Sequence, residues 1–167
     1  MAAARRQVGV TLTYDAAYSR LDYPGGDVPR ERGVCTDVIV RAYRDGLNLD
    51  LQVLVHEDMR RAFSAYPPLW GLNKTDRNID HRRVPNLQAF FKRAGAALAI
   101  SDNGGDYRPG DIVSQMLPGN LPHIGIVADE RSADGARPLV VHNIGAGARL
   151  EDVLFAYSIT GHYRYRV

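Results

Sequence analysis

Gly33-Val34-Cys35-Thr36-Asp37-Val38-Ile39-Val40-Arg41-Ala42-Tyr43 is the stretch around which the chain is organised, and it holds the single cysteine. After Cys35, apolar residues fall at Val38, Ile39, Ala42 and Tyr43. That is the spacing of one helix face. The preceding Gly25-Gly26-Asp27-Val28-Pro29 reads as loop. Cys35 is therefore expected in the first turn of a helix packed on a core. Unpaired N–H groups and the positive end of the helix dipole favour a thiolate there. A thiol so placed is expected to titrate below its free value of about 8.5. Position alone leaves a buried, inert cysteine as the alternative.

The 167 residues suit one domain, 1–167, with a sizeable core. Hydrophobic residues are 45% and charged ones 24%, an ordinary balance for a water-soluble fold. A net charge of +2, with no basic run interleaved with aromatics, argues against a nucleic-acid partner. One cysteine excludes an internal disulfide. No apolar run is long enough for a membrane span. The opening Met1-Ala2-Ala3-Ala4-Arg5-Arg6 lacks the apolar core of a signal peptide.

The cysteine helix is expected to reach about Arg44 and to end at Asp45-Gly46. Residues 10–20 are indecisive. Val55, Met59, Phe63 and Tyr66 share a stripe, so a second helix is expected over 54–66, stopped by Pro67-Pro68. Residues 69–83 read as a long loop, a length often given to function. Pro85 opens a third helix that ends at Gly95. Five short strands follow at 97–100, 111–115, 123–128, 139–143 and 162–167. One helix is expected among them at about 150–156. Helices first and strands after is an α+β order with a mostly antiparallel sheet.

In His123-Ile124-Gly125-Ile126-Val127, period-two alternation puts His123, Gly125 and Val127 on one face. Gly125 leaves room beside the histidine. The next strand ends in His142-Asn143, either of which can lie beside His123 if the strands are neighbours. A cysteine nucleophile needs a base, and the base needs a third group to orient it. Cys35, His123 and His142 supply that set. The polar cluster Asn78-Ile79-Asp80-His81-Arg82-Arg83 offers two guanidinium groups able to grip substrate carboxylates, with His81 lining the cleft. The same loop could instead be pinned by its own ion pairs. Asp37 either complements the helix dipole or binds a ligand amine. His56-Glu57 is not a zinc-protease motif, because position 60 is Arg. No spacing among Cys35, His81, His123 and His142 calls for a metal, and no cofactor is implied.

Cys35-Thr36 with Val38, Pro109-Gly110-Asp111, His123-Ile124-Gly125-Ile126 and Val141-His142 together resemble the NlpC-type branch of the papain-like cysteine peptidases. The resemblance implies a permuted papain-like fold, N-terminal helices packed on a five-stranded sheet, and cleavage of amide bonds in cell-wall peptides. It assigns Cys35 as nucleophile, His123 as base and His142 as orienter. Tyr23 resembles the tyrosine such enzymes keep near the thiol. Val34 and Asp37 depart from that branch, which usually has Asp and Gly there. Over nearly the whole chain, Tyr23-Pro24-Gly25-Gly26-Asp27, Gly33-Val34-Cys35-Thr36-Asp37 and Asn78-Ile79-Asp80-His81-Arg82-Arg83 are similar to the bacterial family catalogued as domain of unknown function 1287.

The expected function is thus a cysteine amidase or peptidase acting on peptidoglycan stem peptides or crosslinks in the periplasm or cell envelope. It would serve wall remodelling or act as an antibacterial toxin, with an immunity protein as partner in the second case. Alternatives are a transferase or deamidase using the same site, or a non-catalytic wall-binding module.

Overall fold

The spacing after Cys35 does form a helix. In the computed structural model, which describes residues 1–167, it is α2, Cys35–Leu47, preceded by the short α1, Ala2–Arg5. Asp37 sets its start by accepting the Val34 N–H at 2.7 Å, which fills one of the unpaired donors of a first turn. The helix runs past Gly46. Asn48 stops it in a left-handed conformation at φ 53 and donates its N–H to the Arg44 carbonyl. The fully buried Arg41 then straps the incoming loop to the helix. Its guanidinium donates to the Asp27 carboxylate at 2.9 Å and to the Arg32 carbonyl at 2.9 Å. Gly33 is required by this closeness, because a Cβ there would lie 2.9 Å from Asp37 Oδ2.

The second helix, α3, spans Leu51–Arg61 rather than 54–66; a separate 3-10 turn, Phe63–Ala65, fills the gap before Pro67. Asp50 advances its start by accepting the Gln52 N–H at 3.0 Å. α4, Val84–Arg93, carries Pro85 in its first turn as predicted. A 3-10 turn, Asp80–Arg82, interrupts the 69–83 loop.

The indecisive segment forms β1, Thr13–Tyr14, which pairs in parallel with β2, Arg32–Gly33. The main sheet has six strands, not five. They are β3 (Ala97–Leu98), β4 (Ile112–Leu117), β5 (Leu121–Arg131), β6 (Pro138–Asn143), β7 (Ala148–Glu151) and β8 (Ser158–Tyr163). Their order is β3-β8-β4-β5-β6-β7, with all neighbours antiparallel. The additional strand is β7, in place of the expected helix. Gly145 and Gly147 turn the chain at positive φ, so residues 148–151 fold back along β6. The last strand also ends earlier than expected, at Tyr163.

One sheet face packs on the helices. Ile112, Ile124, Ile126, Val141 and Tyr163 meet Val38, Ile39, Tyr43, Leu87 and Phe91 there. Val113, Val127 and Val140 face the other way, against Tyr107 and Leu154. No helix is long and apolar enough to cross a membrane.

Candidate active site

Cys35 is the first residue of α2 and only 4% exposed. Three backbone N–H groups, those of Ile124, Thr36 and Cys35 itself, act on the thiol to lower its pKa. The Ile124 donor has a topological origin. Val127 turns its N–H to the β4 side, onto Asp111. By alternation Ile126 and Ile124 turn theirs toward β6. The β5–β6 ladder starts only at Ile126–Val141, so the Ile124 N–H is left for the thiol. Burial pushes the thiol up to about 12, assisted by the Asp37 charge and opposed by the three donors. This corrects the expectation of a low-pKa thiolate. The helix start supplies the expected donors, but the loss of water outweighs them.

His123 precedes Ile124, and its ring is buried. Its Nε2 lies 3.0 Å from His142 Nδ1, and His142 Nε2 lies 2.9 Å from Glu151 Oε2. Gly125 permits this contact: a Cβ there would sit 3.2 Å from His142 Cβ and 2.5 Å from Val140 Cγ1. Burial, and then the neighbouring His142, push His123 down to about 3. Burial also lowers His142, against the pull of Glu151. Both rings are therefore neutral near pH 7, and the hydrogen bonds assign their tautomers. The Glu151 carboxylate can only accept, so His142 donates from Nε2. Its Nδ1 then carries the lone pair and accepts from His123 Nε2. That leaves His123 Nδ1 bare, in the form that takes a proton. Sequence reasoning misses Glu151, because a helix expected at 150–156 conceals its position opposite Val140 on β7.

Asn143 faces the other way. Its Nδ2 donates to the Gly33 carbonyl at 3.0 Å, holding the loop that delivers Cys35. It makes no hydrogen bond to His123.

The remaining site candidates divide. Arg82 Nε and Nη2 each lie 3.0 Å from the Asp37 carboxylate, with side chains 2% and 5% exposed. Arg82 also donates to the Asp15 and Ala17 carbonyls. Neither Arg82 nor Asp37 is free for a ligand; together they lock the helix start to the 69–83 loop. His81 is buried and, like His123 and His142, does not line the cavity at the thiol; unlike His123, it is not next to a residue whose N–H acts on the thiol. Tyr23 does not line that cavity either. Its hydroxyl donates to Glu57 at 3.2 Å, and its ring packs on His56. The tyrosine beside the thiol is Tyr14, brought there by the pairing of Tyr14 with Gly33. Partial burial and the Cys35 field push its hydroxyl up to about 12. Arg83 does reach the thiol cavity, a space of about 180 Å³ also lined by Tyr14, Trp70 and Pro122. Cys35, His81, His123 and His142 do not converge as a metal-ligand set.

These histidines predict a pH effect on folding. His81 and His123 are each lowered to about 3, mainly by burial. Both are neutral when folded and titrate near 6.5 when unfolded, so the unfolded state gains protons first as pH falls. Stability should be intact above about pH 6.5 and fall toward pH 3, each histidine contributing roughly 1.4 kcal/mol per unit. Urea midpoints for wild type and His81→Gln check this. The variant should show the smaller slope; equal slopes would refute the assignment to His81.

Residues 1–165 match the family model described as "Domain of unknown function (DUF1287)". The chain is also 57% identical over 164 residues to "Uncharacterized protein YijF" of Escherichia coli (strain K12), covering 98% of this chain and 79% of that protein.

Proposed function

Since the chain belongs to the DUF1287 family, we propose from its site that it is a cysteine-dependent amide hydrolase. The observation that carries the reading is the hydrogen-bonded order His123, His142, Glu151, with His123 next in the chain to Ile124, whose N–H acts on the helix-start thiol. The thiol passes its proton to His123 Nδ1, and sulfur attacks the amide carbonyl carbon. The amine leaves with that proton, and water then opens the thioester. The Cys35 N–H is a natural oxyanion donor, and the Tyr14 hydroxyl is a second. Because Cys35 and His123 rest neutral, the thiolate forms by proton transfer during the reaction rather than beforehand. The chemistry calls for no cofactor.

Helices that carry the thiol, followed by an antiparallel sheet that carries the imidazoles, support a permuted papain-like fold of the NlpC type. That likeness in turn supports peptidoglycan stem peptides or crosslinks as substrate. Such a substrate sets the location in the periplasm or envelope, for wall remodelling or as a delivered toxin countered by an immunity protein. A transferase would share every step except the final acceptor. The test is incubation with purified muropeptides and mass spectrometry. A product pair that sums to substrate plus water supports hydrolysis. Unchanged muropeptides and unchanged model stem peptides would overturn it in favour of a wall-binding module.

Glu151 acts in this scheme by holding the His142 tautomer. Glu151→Gln can donate to His142 Nε2 and reverse the chain of hydrogen bonds. Turnover should fall by about 10²-fold or more, by analogy with the loss when a triad carboxylate becomes an amide. Nitrogen-15 NMR of the imidazoles should report the altered tautomer. An unaltered His142 tautomer in the folded variant would contradict this role.

A further inference from the structure

Beside the thiol cavity lies a second, more apolar one of about 240 Å³, lined by Phe63, Tyr66, Leu69 and Leu72. Trp70 and Arg83 line both cavities. Pockets that enclose a whole small ligand hold about 300–1,000 Å³, so this one suits a single side chain. Arg83 stacks on the Trp70 ring, 4.0 Å from its centroid. Arg83 Nη1 is buried with no partner. The carboxylates whose field reaches Arg83 are Asp80 and Asp76, and neither is hydrogen-bonded to it: Asp80 Oδ2 holds His56 and the Asp76 N–H, Asp80 Oδ1 is buried without a partner, and Asp76 holds Tyr18 and Asn78. Trp70 sits at φ 62 and is 49% exposed. A bulky residue in the left-handed region is strained, a feature that clusters at ligand sites.

We infer that these cavities bind the C-terminal residue of a peptide, its free carboxylate on Arg83 and its apolar side chain in the cavity beside Trp70. Both features fit a single residue, because Arg83 lines the apolar cavity as well as the thiol cavity. An aspartate or glutamate side chain would satisfy Arg83 and leave the cavity empty. The guanidinium fork with its unpaired Nη1 matches a carboxylate. From that anchor the peptide runs N-terminally past Trp70 toward Cys35. On the hydrolase reading, on which this direction rests, the anchored residue leaves with the amine product. The S–C bond forms at the preceding carbonyl, the C–N bond breaks, and His123 gives its proton to the leaving nitrogen.

Trp70 is the sole tryptophan, so its emission reports occupancy directly. Binding is measured on the full-length Cys35→Ser chain with acetyl-Gly-Ala-Leu, its C-terminal amide, acetyl-Gly-Ala-Ser and octanoate. The free-acid leucine peptide should shift the emission. The amide should bind about tenfold or more weakly, the loss expected for one charged hydrogen bond, and the serine peptide should also bind more weakly. Arg83→Gln should remove the acid preference without lowering the melting temperature. Equal binding of acid and amide, octanoate binding as tightly as the peptide, or an unshifted emission would overturn the inference. If Arg83→Gln fails to fold, the acid and amide peptides on the Cys35→Ser chain still decide between acceptance and rejection. Selective binding without cleavage by the native chain would sink only the hydrolase reading.

Discussion

Cys35→Ala should reduce amide cleavage by about 10⁴-fold or more, the scale seen when a covalent nucleophile is removed. His123, His142 and Glu151 would remain hydrogen-bonded to one another, but His123 Nδ1 would have no thiol proton to take. The folding cost should be about 1–2 kcal/mol, because the sulfur lies in the main core and its removal leaves a small void. Cys35→Ser should fold closer to wild type, since a hydroxyl can still accept from the Ile124 N–H. It should remain inactive, as a buried hydroxyl yields its proton less readily. Product formation by mass spectrometry and urea unfolding separate the two effects. Wild-type cleavage in folded Cys35→Ala would eliminate the mechanism.

The second large effect is on stability. Arg82→Leu should cost about 3–5 kcal/mol, the penalty for leaving a buried partner charge uncompensated. Asp37 would keep the Val34 N–H but lose both guanidinium contacts. Against a typical total of about 5–15 kcal/mol, that is a large fraction of the fold. The double variant Asp37→Leu with Arg82→Leu should lose less than Arg82→Leu alone, because no charge is stranded. Arg82→Leu should also slow peptide cleavage and Cys35 alkylation together, since the helix start itself is loosened. A folded Arg82→Leu with wild-type stability and a selective defect toward acidic peptides would return Arg82 to substrate binding.

Arg82 and Arg83 show where local pattern stops being informative. The sequence presents two adjacent guanidinium groups on one polar loop. The 3-10 turn at Asp80–Arg82 directs Arg82 inward to Asp37, forty-five residues away, while Arg83 stacks on Trp70. Nothing in the local pattern distinguishes them, because the deciding partners arrive from distant segments. Tyr14 and Tyr23 exchange roles for the same reason. Tyr23 lies in a loop of the right composition, but the β1–β2 pairing carries Tyr14 to the thiol.

Sequence alone determined the elements with strong periodicity. The Cys35 helix, the Pro85 helix and the His123 strand follow from spacing set by backbone geometry, which is local. That His142 rather than Asn143 lies beside His123 was conditional on those strands being neighbours, which a short connection favours and the β5–β6 ladder supplies. Tertiary structure alone decided the state of the thiol, the partner of His142 and the turning of Arg82. A pKa depends on how much water the assembled fold excludes, and Cys35 is driven up because α2 closes on β5. Glu151 enters because β7 pairs with β6, a contact that exists only once the hairpin forms.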